Sequence, residues 1–186
     1  MIEPIFVAAF FVLFLVVLFA GGAEFRRRQI DMGGVPPIDK DLFRLSKLAL
    51  FIPWAAMILQ SFGLNLSLIG RPPLLKWISL GLWALGFTLL LAGRLGMGSS
   101  FRIGCAKEST NLKVGGLFRY SRNPMYLGMY GTLLASALYT MNPLILLVGA
   151  FVVAVHHRIV LGEEACLRRT FGEEYADYCR RVGRYL

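Results

Sequence analysis

The chain has 186 residues, of which 56% are hydrophobic and 17% are charged, and its mean hydropathy is +0.61. A soluble domain usually has about 25% charged residues, so this composition excludes an ordinary soluble protein and predicts an integral membrane protein. The net charge is +9. Because the basic residues flank apolar segments, membrane lipids with anionic headgroups are the expected partners and nucleic acid is not.

Five apolar segments follow one another along the chain, and we predict that each crosses the bilayer as a helix. The predicted spans are 4–22, 45–68, 74–92, 124–139 and 144–161. No basic residue precedes the first span and no small-residue cleavage site follows it, so we interpret it as a retained anchor. In the third span, Gly81 and Gly86 are predicted to let another helix approach closely.

The final segment, 162–181, is predicted to be an amphipathic helix that does not span the membrane. Its apolar stripe is formed by Leu167, Phe171, Tyr175, Tyr178 and Val182. Such a helix either lies on the membrane surface or packs across the polar loop before the fourth span. The predicted fold class is therefore all-α: a polytopic integral membrane protein of about five transmembrane helices with a C-terminal amphipathic interfacial helix.

The whole chain, 1–186, is expected to form a single membrane domain. Residues 1–92 supply three spans, and residues 93–186 supply a cofactor-binding loop, a helical hairpin and the final helix. Lys and Arg concentrate after the first, third and fifth spans. By the positive-inside rule these segments are cytoplasmic, which places the N-terminus outside and the C-terminus inside.

The stretch LFRYSRNPMYLG, at 117–128, opens the fourth span. Pro124 suits the first turn of a helix, and Asn123 before it is a favourable cap residue. The free N–H groups of a helix start and the guanidinium fork of Arg122 both favour an anionic ligand group. The alternative is a membrane-boundary motif, with its arginines among headgroups and its tyrosines in an aromatic belt.

Further candidate residues lie at the end of the fifth span. Glu163 and Glu164 are suited to a cation or a ribose, or else form the solvated start of the final helix. Arg158 lies near the apolar region, where a charge usually faces a cavity or snorkels to headgroups. His156 and His157 titrate near neutral pH, but adjacent helical residues point about 100° apart, so both cannot serve one site.

Several of these segments, in this order, resemble one family of membrane enzymes. The segments are LKVGGLF at 112–118, RNPMY at 122–126, Arg158-Ile159, Glu163-Glu164 and FGEEY at 171–175. Together they resemble the isoprenylcysteine carboxyl methyltransferase family, including its phospholipid methyltransferase-like bacterial members. The resemblance covers about the C-terminal half, 99–186.

This resemblance implies an integral membrane methyltransferase that uses S-adenosylmethionine at the cytoplasmic face. The implied acceptor is lipidic or a small hydrophobic molecule with a carboxylate, amine or thiol. The implied cofactor contacts are Leu112, Lys113, Gly116, Phe118, Arg122, Asn123, Pro124, Tyr126, Glu163 and Glu164. Catalytic roles are implied for Arg158, Glu163 and Glu164. Asn123 stands where the isoprenylcysteine enzymes carry His, and Asn cannot carry a charge.

Two other functions fit the same sequence. A membrane reductase of related architecture could hold the phosphates of NADPH in the basic loop, and a non-catalytic membrane protein could use the same scaffold. A binding measurement distinguishes the three functions: a methyltransferase binds S-adenosylmethionine, a reductase binds NADPH, and a non-catalytic protein binds neither. No metal is expected, because the three cysteines form no CxxC pair and have no His beside them.

Overall fold

The computed structural model describes residues 2–27, 35–98 and 111–186, and these residues form five α-helices and one 3₁₀ turn. The helices are α1 (Ile2–Arg27), α2 (Lys40–Ser61), α3 (Pro73–Met97), α4 (Pro124–Thr140) and α5 (Pro143–Arg181), and the turn is Gly116–Arg119. The predicted all-α membrane architecture is confirmed. By length and composition, α1, α2, α3 and α5 can cross a membrane. Helix α4 has 17 residues, at the lower end of the usual range of about 17–25.

Some helix ends differ from the predicted span ends, and at the start of α2 the cause is a capping side chain. Helix α2 begins at Lys40 instead of residue 45, since the Asp39 carboxylate accepts hydrogen bonds from the N–H groups of Asp41 and Leu42 at 3.1 and 3.0 Å. It ends at Ser61 instead of residue 68. Helix α3 continues beyond residue 92 to Met97 and has a basic residue in its last turn, where the helix dipole favours positive charge.

Helices α3 and α4 pack with their backbones in direct contact. A Cβ atom built on Gly86 would lie 2.7 Å from the Gly128 carbonyl oxygen, and one on Gly128 would lie 2.5 Å from that of Gly86. Side chains at these positions would separate the helices, so the predicted role of Gly86 is confirmed. The same prediction for Gly81 is wrong, because a Cβ there meets no atom of the described residues within 4 Å.

Polar side chains tie the helices together at one end of the bundle. The Glu3 carboxylate pairs with Lys76 and accepts a hydrogen bond from the Tyr139 hydroxyl. The Gln60 amide donates to the Tyr139 carbonyl at 2.8 Å. The start of α4 therefore lies at the opposite end. Between the two ends lies an apolar core that includes Trp54, Met57, Trp83, Phe87 and Leu133.

Helix α5 joins the fifth span to the predicted amphipathic helix without a break at Gly162, which corrects the predicted boundary. The residues around it include good helix formers and no proline. The backbone leaves the helical conformation only at Gly172, with φ 51° and ψ −122°, which glycine adopts readily. Beyond this kink, Tyr175 and Tyr178 are buried against Phe118. The apolar stripe therefore packs across the loop before α4.

Candidate active site

Arg122 joins the start of α4 to the middle of α5 and to the C-terminal residues. Its Nε and Nη2 atoms donate to the Glu164 carboxylate at 3.0–3.2 Å, and Nη1 donates to the Val182 carbonyl at 2.7 Å. Both charged side chains are only 11% exposed. Burial disfavours the charge on Arg122, but the adjacent Glu164 carboxylate outweighs burial and raises the Arg122 pKa. The fork of Arg122 is thus occupied by a carboxylate of the protein itself.

Asn123 and Arg184 complete what we call the Glu164 network, formed by Arg122, Asn123, Glu164 and Arg184. The Asn123 amide donates to Glu164 at 3.0 Å and to the Arg184 carbonyl at 3.2 Å. The Nε atom of Arg184 donates to Glu164 at 3.0 Å. Asn123 occupies the cap position of α4, but its side chain makes no capping hydrogen bond. The expected side-chain cap is therefore corrected: the Asn123 amide contacts Glu164 instead.

Glu163 has different surroundings from Glu164, as expected for neighbours on a helix. Its carboxylate accepts a hydrogen bond from the Tyr126 hydroxyl at 2.9 Å, and the residue lines a cavity beside the start of α4. Glu164 instead lies within the ion-pair network, against two arginines. The two carboxylates therefore have different surroundings: Glu164 is bonded to groups from several chain segments, and Glu163 lines the cavity.

This cavity beside the start of α4 has a volume of about 360 Å³. Eight of the predicted cofactor contacts line it: Leu112, Lys113, Phe118, Arg122, Asn123, Pro124, Tyr126 and Glu163. Gly116, Glu164 and the exposed Arg158 are not among the described residues that line it, and their site roles stay predictions. Residues 99–110 of the predicted cofactor-binding loop lie outside the described residues.

The rest of the cavity wall comes largely from residues that the sequence motifs did not single out. Apolar side chains from α1 and α2 contribute Phe14, Leu18, Phe43, Leu50, Phe51 and Trp54. Lys47 lines the same wall, and its ammonium lies 3.9 Å from the centre of the Phe43 ring. A lone cation in an apolar segment is itself a functional signal, which would have identified Lys47 from the sequence.

The two histidines face different surroundings. His156 lines the cavity, whereas the Nδ1 atom of His157 lies 2.8 Å from the Tyr185 hydroxyl. Tyr185 belongs to the C-terminal residues that also hold the Glu164 network. As expected from their spacing, only one of the two histidines can therefore act at the site.

The Tyr175 hydroxyl supplies a further sign of a ligand site. Tyr175 lines the cavity and is 1% exposed, and in the part of the chain that the structure describes its oxygen makes no hydrogen bond of good geometry, although the weakly polar Cys179 thiol lies near it. The neighbouring Tyr178, by contrast, donates to the Phe118 carbonyl at 2.6 Å. An unsatisfied buried hydroxyl costs about 1–3 kcal/mol, and a polar ligand atom in the cavity would remove that cost.

Comparison with known proteins identifies the family. The model of the phospholipid methyltransferase family matches residues 74–174, which is more than half of the chain. The chain therefore belongs to the phospholipid methyltransferase family, a family of membrane methyltransferases, in agreement with the resemblance seen in the sequence. A comparison with curated protein sequences gives no significant match.

The fold is also similar to that of a solved eukaryotic protein, the intramembrane Ras methyltransferase called isoprenylcysteine carboxyl methyltransferase. The TM-score is 0.55, the sequence identity is 23%, and the match covers 78% of this chain and 52% of the other. At this identity the match shows a shared membrane fold. This chain thus corresponds to about half of that protein.

Proposed function

We propose that this protein transfers a methyl group from S-adenosylmethionine to a lipidic or small hydrophobic acceptor at the cytoplasmic face of the membrane. The main support is the convergence of three separate segments on one cavity. The loop residues Leu112 and Phe118, the start of α4 and Glu163 on α5 all line it. These positions match the family pattern in the sequence, and the chain belongs to a family of methyltransferases.

The cavity residues fit the chemical groups of S-adenosylmethionine. This cofactor supplies a methyl group already activated by attachment to a positively charged sulfur. The Glu163 carboxylate would offset positive charge or bind the ribose, and the Lys113 ammonium would attract the cofactor carboxylate. Tyr175 offers its buried hydroxyl, and Phe118 offers an aromatic surface. Since the methyl group is already activated, these residues mainly need to position the reactants.

The apolar wall suggests how the acceptor reaches the cavity. Phe14 and Leu18 come from α1, and Leu50 and Phe51 come from α2. Phe51 is 43% exposed on the outer surface of the bundle, where lipid tails would surround it. We therefore propose that the acceptor enters sideways from the bilayer between α1 and α2, with its reactive group directed into the cavity.

The cytoplasmic orientation leads to a labelling prediction. Tyr120, 76% exposed, lies just before α4, and Leu68, 69% exposed, lies between α2 and α3 at the opposite end. In a background without the native cysteines, an impermeant maleimide added to intact cells should label Leu68→Cys and not Tyr120→Cys. Both should react after lysis. Labelling of Tyr120→Cys in intact cells, with Leu68→Cys protected, would place the site outside.

Glu163→Gln should weaken binding of S-adenosylmethionine while the protein stays folded, because Glu163 faces the cavity and lies outside the Glu164 network. Loss of one hydrogen bond to a charged group costs about 1.5–3 kcal/mol, so we expect about a tenfold to hundredfold higher Kd. Calorimetric titration in nanodiscs measures this change, with thermal stability recorded in parallel.

Glu174→Gln is the matched control, because it makes the same change at an exposed position on α5, and it should bind the cofactor like wild type. The titrations are repeated with NADPH. Binding of NADPH in place of S-adenosylmethionine would indicate the reductase, and binding of neither would indicate the non-catalytic alternative. Equal affinity of Glu163→Gln and wild type for S-adenosylmethionine would remove Glu163 from the cofactor site.

A further inference from the structure

His156 and Lys47 are ionisable side chains on the deeper part of the cavity wall. His156 precedes Glu163 by two turns of α5, which places it about 10 Å further along the helix into the membrane. It is 5% exposed. Lys47 lines the same cavity from α2. Ionisable residues within membrane helices are rare and usually mark a path for substrate or protons. The proposed cofactor contacts use neither of them.

A backbone hydrogen bond determines which nitrogen of His156 carries hydrogen. The Nδ1 atom lies 2.9 Å from the Val152 carbonyl oxygen. A carbonyl oxygen can only accept, so Nδ1 is the donor. In the neutral ring the lone pair is therefore on Nε2. The bond to Val152 uses only Nδ1, and His156 lines the cavity, so the lone pair on Nε2 can accept a proton from a molecule bound there.

The titratable groups that face His156 come from three helices. Lys47 faces it from α2, and the Tyr126 ring lies 6.2 Å from the His156 ring, centre to centre, on α4. Glu163, further along α5, accepts the hydrogen bond of the Tyr126 hydroxyl. Among these groups, imidazole is the one that ordinarily gains and loses a proton near neutral pH. It is therefore the group best suited to take a proton from a bound acceptor.

We propose that His156 is the proton acceptor of the methyl transfer, and that the methyl acceptor is therefore an amine or a thiol and not a carboxylate. A carboxylate has already lost its proton at neutral pH and needs no base, whereas an ammonium group or a thiol must lose one before its lone pair can attack. This inference rests on the proposed function, because it assumes that S-adenosylmethionine donates the methyl group.

The step balances in protons and electrons. The acceptor N–H or S–H gives its proton to Nε2 of His156, which becomes an imidazolium ion. The freed lone pair on nitrogen or sulfur forms a bond to the methyl carbon. The bond from that carbon to the cofactor sulfur breaks, and its electron pair stays on sulfur, which becomes neutral. The imidazolium ion then returns the proton to water.

The first test measures the ring of His156 without any reaction. The chain contains two histidines, so His157→Gln leaves His156 as the only histidine. Magnetic resonance of isotope-labelled histidine in this variant should show a neutral ring with hydrogen on Nδ1 over part of the range between about pH 5 and 8. A ring with hydrogen on Nε2, or one that stays doubly protonated across this range, would overturn the proposal.

The second test measures methyl transfer with a labelled methyl group on S-adenosylmethionine. Nanodiscs carry one of three probes: phosphatidylethanolamine as the amine, dodecanethiol as the thiol, or palmitate as the carboxylate. Wild type should label the amine or the thiol and not palmitate. His156→Gln should lower kcat about a hundredfold or more and bind the cofactor with unchanged affinity. The rate of wild type should rise with pH as His156 loses its proton, and the rate of this variant should not. His157→Gln, the same change one residue later, should retain activity.

The outcomes separate this inference from the proposed function. Transfer of the labelled methyl group to palmitate would overturn the role of His156 and leave the methyltransferase function standing. A His156→Gln variant that reacts as fast as wild type would do the same. Failure of wild type to bind S-adenosylmethionine or to label any probe overturns the proposed function, and this inference with it. If His156→Gln does not fold, the wild-type comparison of the three probes still tests the proposal, and the magnetic resonance test on His157→Gln can still overturn it.

Discussion

Glu164→Gln is expected to lower the free energy of unfolding by about 3–5 kcal/mol, the usual cost of removing one partner of a buried ion pair. Glu164 and Arg122 are each 11% exposed and hydrogen-bonded to one another in a bidentate arrangement. Gln keeps the shape of the side chain but removes the charge, so Arg122 would stay buried without a counter-ion. Arg184 and the Asn123 amide would lose the same charged acceptor.

The measurement is unfolding in detergent or nanodiscs, followed by helix content and compared with wild type. Glu173→Gln is the control, because it makes the same substitution at an exposed position beyond the kink in α5, and it should change stability by less than about 0.5 kcal/mol. If Glu164→Gln were as stable as wild type and only cofactor binding fell, Glu164 would be a ligand contact, as the sequence pattern implied.

Arg122→Lys is expected to weaken binding of S-adenosylmethionine about tenfold to hundredfold and also to destabilise the protein. A lysine ammonium cannot make the bidentate contact with Glu164 and still reach the Val182 carbonyl. Each charge-assisted hydrogen bond lost within the protein lowers the free energy of unfolding by about 1.5–3 kcal/mol. The expected rise in Kd is a separate effect of about 1.4–2.8 kcal/mol, at about 1.4 kcal/mol per factor of ten. Loss of these contacts would loosen the start of α4 at the cavity wall.

Arg119→Lys is the control for Arg122→Lys. Arg119 lies in the same segment but is exposed, and the same substitution there should be nearly silent. Calorimetric titration and thermal unfolding are measured on both variants. Weaker binding with unchanged stability would indicate that Arg122 contacts the cofactor carboxylate directly. Lower stability with unchanged binding would limit Arg122 to the Glu164 network.

Much of the fold was predictable, because the requirements of a bilayer are visible in local sequence. Apolar segments of sufficient length indicate helices, and a proline preceded by asparagine indicates the start of α4. The helix ends were less predictable. The start of α2 depends on a single side chain, the Asp39 carboxylate, and the kink inside α5 depends on one backbone conformation, that of Gly172.

Part of the candidate site was also predictable. The family pattern identified most residues around the start of α4 and also Glu163, and these residues line one cavity. It did not identify Lys47 or the aromatic side chains of α1 and α2, which lie far away in the sequence. These residues belong to no sequence motif, and only the packing of the helices brings them to the cavity.

The sequence alone determined that this is an all-helical membrane protein, because hydropathy and charge placement are local properties of the chain, and its short motifs resemble those of a methyltransferase family. Only the tertiary structure decided which of Glu163 and Glu164 lines the cavity and which is ion-paired, and which of His156 and His157 lines the cavity. Adjacent helical residues point about 100° apart, so neighbours in the sequence meet different surroundings. Which surroundings each one meets depends on the packing of α4 and of the C-terminal residues against α5.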